Sequence, residues 1–224
     1  MQQRFTLINE FAQLDFDLQH LMGEKHTIEA LYEKIVLAYM SEGRVYHTLE
    51  HIEQVLQKIA LLLASLTPPL PHSTHLALKL AAWLHDVVYD PRRNDNEEQS
   101  AVWATQALEP LHLPAHLLTT ITQLILATRK HEAKADDLPA QILLDADLSI
   151  LGAEAERYEA YAAAIRQEYG FVPEAAYRAG RAEVLARFLA RERIYFTDQA
   201  HEWWETSARE NLKREIFSLQ NPSL

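Results

Sequence analysis

The chain has no cysteine among its 224 residues, which excludes disulfide scaffolds, thiolate zinc sites, iron–sulfur ligation and cysteine nucleophiles. Any bound metal must therefore take imidazole and carboxylate ligands. Glycine is scarce, at 5 residues, while Ala, Leu, Glu and Gln are abundant, a balance that favours helices over a turn-rich sheet. No apolar run approaches the roughly 18 residues of a membrane span. The opening Met1-Gln2-Gln3-Arg4-Phe5-Thr6 lacks a signal-peptide pattern. The expectation is a cytoplasmic protein with no membrane partner. Positive charge is in deficit, with a formal net charge of -11. Duplex nucleic acid is accordingly not an expected partner. A small anion is compatible, because a metal ion and a few arginines can reverse the local sign.

What is present is helical periodicity almost throughout. Apolar residues at helical spacing predict helices over 27–40, capped by Thr27, and over 48–66, ended by Thr67-Pro68-Pro69-Leu70-Pro71. Further helices are expected from Ser73 or Thr74 through Val87, from an Asn96 cap to Leu108, and from Pro114 to Thr128. Pro139 begins another that ends near Gly152, and three C-terminal helices are expected over 154–169, 173–195 and 198–219. No alternating strand pattern and no linker stands out. The fold class read from this is all-α, with residues 1–224 as a single domain.

Three places set His or Asp among apolar helical neighbours. Asp147 has Leu143, Leu144, Ile150 and Leu151 three and four residues away, so it sits inside an apolar stripe. A lone buried carboxylate costs several kcal/mol unless it is paired or protonated. Asp145 lies about 200° away on the same helical wheel, on the more polar side, which makes Asp147 the better ligand. His85 has Ala81, Ala82, Val88 and Tyr89 around it and is followed by Asp86, so that one nitrogen and one oxygen can turn to a single ion. His47 and His51 lie one turn apart on the same face at a third place. Satisfied core histidines would explain one such residue, but they explain His85, Asp86 and Asp147 together poorly, since no buried Lys or Arg is evident to pair with two carboxylates.

His51-Ile52-x-x-Val55, then His85-Asp86, then Ala146-Asp147 resembles the H…HD…D pattern of the HD superfamily of metal-dependent phosphohydrolases. The strings YHTLEHI, WLHDVVYD, NEEQSA and LDADLSILG are similar to a bacterial branch described as predicted HD phosphohydrolases. The likeness covers about 44–152 as the metal-binding core and extends toward Leu212, with the helices of about 154–220 packing on that core. It implies a helical bundle holding one or two divalent cations (Mn, Fe, Co, Ni, Zn or Mg) through His51, His85, Asp86 and Asp147, with His47 the alternative first ligand. It further implies attack of metal-bound water on a phosphate ester or anhydride of a small molecule, a nucleotide being the expected substrate. A homodimer is left open.

Other residues carry two readings each. The resemblance makes His131 a group near phosphate or metal, while a solvated His at a helix C-terminus is the structural alternative. Asp90 could orient the attacking water, or it could simply form the turn before Pro91. Glu98 is a candidate general acid or base, or an ordinary first-turn glutamate. Some related families carry a glutamate in an HDxxE string, and this chain has Tyr89 there. That departure puts the proton carrier in question. Asp86 joins Asp90, Glu98 and His131 as the candidate catalytic set. His47, Arg44, Lys130, Arg166 and Arg181 are candidates for holding substrate, with Arg178 beside them, since arginine's fork matches phosphate oxygens. Surface pairing with Glu168, Glu174 or Glu183 is the alternative for any one arginine. Tyr158, Tyr161, Tyr169 and Tyr177 could stack on a base or belong to the core. Two functions compete with hydrolysis: a non-catalytic metal- or nucleotide-binding HD module, and, with fewer ligands to support it, a di-iron oxygenase.

Overall fold

The computed structural model describes Leu14 and residues 29–221. Among them are nine α-helices and no strand, so the chain is all-α. In order these are α1 (Glu29–Tyr39), α2 (Leu49–Ala64), α3 (His72–Leu84), α4 (Asn96–Leu108), α5 (Ala115–Ala127), α6 (Leu138–Asp147), α7 (Ala155–Glu168), α8 (Glu174–Leu189) and α9 (Asp198–Gln220). Short 3-10 turns follow α4 at Glu109–Leu111 and α6 at Leu148–Gly152. Thr27, the expected cap of the first helix, lies outside the described residues. Among the described residues no helix is long and apolar enough to cross a membrane.

Burial follows the apolar spacing. On α2 the buried set Ile52, Val55, Leu56, Ile59 and Leu62 forms one stripe, and each such side chain contributes about 1.5–3 kcal/mol on leaving water. That stripe packs on α3 and α6; α3 also packs on α5 and α6, and α5 on α4. On the other side, α9 lies along α8 and along the 3-10 turn after α6. One apolar core takes residues from Leu14 to Leu212. Gly152 allows the close approach to α9, since a Cβ there would stand 2.5 Å from the Trp204 Cβ.

Three boundaries differ from expectation, each for a tertiary reason. The helix expected to run through Val87 stops at Leu84, and His85 is already its cap. Its continuation is replaced by a turn whose carbonyls are taken by Arg44. The helix expected to reach Tyr195 stops at Leu189. Beyond it, the amide N–H groups of Ile194 and Tyr195 are bound by Glu205, and those of Phe196 and Thr197 by Asp145. Asn96 does not cap α4. Its amide brackets the Asp90 backbone instead, accepting from the Asp90 N–H and donating to the Asp90 carbonyl.

Candidate metal centre

His51 sits in the first turn of α2, His85 and Asp86 follow the last turn of α3, and Asp147 ends α6. Three helices thus end or begin at one point. The Nε2 atoms of His51 and His85 are 3.2 Å apart. Asp147 Oδ1 lies 3.3 Å from the first and 3.6 Å from the second, and all three ligand atoms fall within 4.8 Å of one another. Asp86 Oδ2 approaches the same two nitrogens, at 3.6 Å from His51 and 3.2 Å from His85. His51 and His85 are buried, and the two carboxylates are 16 % and 13 % exposed, so the cluster meets solvent chiefly through its carboxylates.

These separations suit a cation. Ligands about 2.1 Å from a metal stand about 3.0 Å apart in octahedral and about 3.4 Å apart in tetrahedral geometry. The tautomer also fits. His85 Nδ1 lies 3.0 Å from the Ala82 carbonyl, which only an N–H can satisfy, so in the neutral ring Nε2 would turn a lone pair toward the cluster. Burial lowers the His51 pKa, which also favours the neutral, ligating imidazole. Burial alone would raise the carboxyls of Asp86 and Asp147. The imidazoles facing them outweigh it and hold both well below the usual carboxylate range. His85 is pulled down by burial but raised further by those same carboxylates, and ends well above the ordinary histidine value.

Around this cluster the structure sorts the remaining candidates. His131 Nε2 lies 3.0 Å from Asp147 Oδ2, the oxygen turned away from His51 and His85. Its backbone is left-handed, at φ 49°, three residues past the Thr128 cap of α5, a conformation that favours glycine. A non-glycine residue there costs about 1–2 kcal/mol, and the contact with Asp147 is what the side chain gains. His47 stands beside the cluster rather than in it, its Nε2 4.0 Å from Asp86 Oδ2. Of the two histidines weighed as first ligand, His51 is the one among the ligand atoms.

The expected phosphate clamps are differently employed. Arg44 spends its guanidinium on the carbonyls of His47, Asp86 and Val87 and on Ser41 Oγ, so it fastens the two ligand-bearing loops together. Arg166 ties α7 to α8 through Glu174 and the Tyr169 and Val172 carbonyls, and Arg178 binds the Leu219 carbonyl. Lys130 lies outside the cleft. Asp90 is a turn former, accepting from the Arg92 N–H, and Glu98 pairs with Arg129; neither lines the cleft. Arg181 does line it, but is paired with Glu215 by both carboxylate oxygens.

That cleft, about 770 Å³, opens over His85, Asp86, His131 and Asp147 and continues between α7 and α8. Sequence reading missed three arginines on its wall: Arg93, Arg129 and Arg187. Arg187 has no ion-pair partner among the described residues. Tyr161 and Tyr169 reach the cleft, whereas Tyr158 is core at 2 % exposure.

The other missed residue is Glu168. It had been weighed only as a partner for surface arginines, yet its side chain is 0 % exposed. Its Oε1 accepts from the backbone N–H groups of Val45, Tyr46 and His47, at 2.8, 2.8 and 3.0 Å. Its Oε2 lies 2.7 Å from His47 Nδ1 and accepts from the Tyr89 hydroxyl at 2.7 Å. Burial would raise this carboxyl, but the bonds from His47 and the backbone hold it at about 2. The signal was available, since Tyr158, Tyr161, Ile165 and Glu168 share one face of α7. Asp145 is a second correction. Expected on the polar side, it is fully buried, accepting from the Phe196 N–H, the Thr197 N–H and the Thr197 hydroxyl, each at 2.7 Å. No protein-family model and no curated protein matches the chain.

Proposed function

We propose that the chain is a metal-dependent phosphohydrolase of the HD type, acting on a phosphate ester or anhydride of a small molecule such as a nucleotide. The observation that carries this reading is the meeting of His51, His85 and Asp147 from three helices, with Asp86 beside them, where His85, Asp86 and Asp147 line a cleft of about 770 Å³. A divalent cation held there by two imidazoles and two carboxylates would polarise a phosphoryl oxygen and lower the pKa of a bound water. Borderline metals such as Mn, Fe, Co, Ni or Zn suit this donor set, and Mg is compatible with its oxygens.

The chain's own groups prepare the remainder. The buried walls behind His51 and His85 exclude water from the back of the cluster, so electrostatic interactions there are stronger than in bulk solvent. His131 holds the outer oxygen of Asp147 in place. Arg44 fixes the Asp86 and Val87 carbonyls and with them the turn that aims Asp86. Arg187, without an ion-pair partner among the described residues, offers its guanidinium on the cleft wall for an anionic group.

The test is a metal analysis of the purified protein joined to a panel of phosphate esters and anhydrides in Mn or Co. The expected outcome is about one or two ions per chain and phosphate release that ceases with chelation. A metal-replete protein that releases nothing from the panel contradicts the reading, and tight nucleotide binding without turnover would identify a sensing module in its place.

A further inference from the structure

Glu168 does more than tie the end of α7 to the loop before α2. Among the described residues, everything hydrogen-bonded to it is a backbone N–H, an imidazole nitrogen or a phenol; no Lys or Arg is. An ionised carboxylate only accepts hydrogen bonds. The 2.7 Å contact at Oε2 therefore requires the hydrogen of His47 to sit on Nδ1. In the neutral ring Nε2 then carries a lone pair. Nε2 is on the far side of the ring from Glu168, and His47 lines the cleft beside Asp86. The ring has little freedom to turn, because Tyr89 stacks on it with centroids 4.1 Å apart and planes 26° apart. Tyr89 is itself fastened to the same Glu168 oxygen.

We propose that Glu168 is a positioning residue that locks His47 with its Nε2 lone pair turned into the cleft, making His47 the group that takes the proton of the attacking water. The second half rests on the phosphohydrolase reading; the first half does not. In the reaction, water oxygen forms its bond to phosphorus as the bond to the leaving oxygen breaks. The water's proton passes to His47 Nε2, the leaving oxygen takes a proton from solvent, and His47 then returns its proton to solvent, so the imidazole ends in its starting state. The proton carrier that the chain lacks at Tyr89 is supplied, on this account, by a dyad whose carboxylate comes from 79 residues further along the chain.

A purely structural Glu168 and a positioning one separate in Glu168→Gln. The amide oxygen can still accept the backbone N–H groups, so the loop stays anchored. The amide NH₂ now faces His47 Nδ1, which must become an acceptor, and the hydrogen moves to Nε2. Nitrogen-15 NMR of the full-length, zinc-loaded protein, with His47 assigned through His47→Ala, reads this directly. The expected result is Nδ1–H in the parent and Nε2–H in Glu168→Gln. With a phosphate ester the variant should lose about 10–100-fold in kcat at little changed KM. His47→Ala should lose about 100-fold or more, and the double variant should lose no more than His47→Ala alone. His47 found as Nε2–H in the parent, the same tautomer in both proteins, or losses that add in the double variant would overturn the proposal. If the parent hydrolyses no ester, the hydrolase reading and the proton role fall together, and the tautomer alone decides whether Glu168 positions His47.

Discussion

Asp145 and Asp147 are two residues apart on α6, and both are withdrawn from solvent, but their surroundings are opposite in kind. Asp145 is met by two backbone N–H groups and a hydroxyl, so every close neighbour donates to it. Asp147 is met by the Nε2 atoms of His51, His85 and His131: His131 donates to its outer oxygen, while its inner oxygen shares a point with His51 and His85, where a neutral His85, its Nδ1–H given to the Ala82 carbonyl, would turn a lone pair inward. A carboxylate saturated by donors is finished as structure. A carboxylate gathered with other electron pairs is incomplete until a cation joins it. The same contrast extends to their neighbours: donors converge on Asp145 and Glu205 where α6 and α9 hold the segment after α8, while two imidazoles and two carboxylates crowd together where α2, α3 and α6 meet.

The largest effect expected from this contrast is on Asp147→Asn. The substitution keeps the shape but removes charge from the cluster, so metal should be lost from the purified protein. Activity should fall by more than the about 100-fold that loss of a supporting residue costs. Elemental analysis and the ester assay check it, and retention of a full metal complement would break the comparison. Asp145→Ala should do the reverse. Stripping the acceptor from three buried donors should cost about 3 kcal/mol or more, lowering Tm by about 6–12 °C, with the metal content per folded chain unchanged. Thermal denaturation paired with metal analysis decides between the two roles.

A smaller effect is expected at Gly152, just after Asp147. Its missing Cβ leaves room for the backbone of Trp204, whose carbonyl oxygen would lie 2.8 Å from an added methyl. Gly152→Ala should therefore cost about 1–3 kcal/mol by forcing the 3-10 turn away from α9, measurable by denaturant titration. If it also released metal, the scaffold and the centre would not be separable, as the contrast requires them to be.

The smallest effects are in pH dependence, and their signs are opposite. Burial outweighs the three donors around Asp145 and raises its carboxyl to about 6. The folded state then binds the proton more tightly than the unfolded one, so this residue's contribution grows as pH falls from about 6 toward 4. Glu168, held at about 2, contributes above its unfolded value near 4.5 and loses that contribution as pH falls from there toward 2. Comparing Tm across this range, the parent's advantage over Asp145→Asn should widen on acidification, and its advantage over Glu168→Gln should shrink.

The helices were legible because their apolar stripes repeat at helical spacing, and Asp147 and His85 were legible because they interrupt those stripes. The ends of α3 and α8 were not, because both are set by partners distant in sequence: Arg44 takes the Asp86 and Val87 carbonyls, and Asp145 and Glu205 take the amides of 194–197. Arg44 shows the limit clearly. Its position beside the motif suggested a ligand contact, and only the fold reveals that its donors are already committed to backbone. Glu168 was legible by the rule used for Asp147 but lies far from the motifs in sequence, and Asp145 was misjudged because the wheel could not show that 196–197 folds back onto it.

The most direct test of the central claim is anomalous diffraction from crystals of the full chain grown with Mn or Zn. The account predicts a peak bonded to His51 Nε2, His85 Nε2 and Asp147 Oδ1, each at about 2.0–2.2 Å, with Asp86 completing the set and no ion at Asp145. Crystals saturated with metal that show no peak among those atoms, or show it elsewhere, would contradict it.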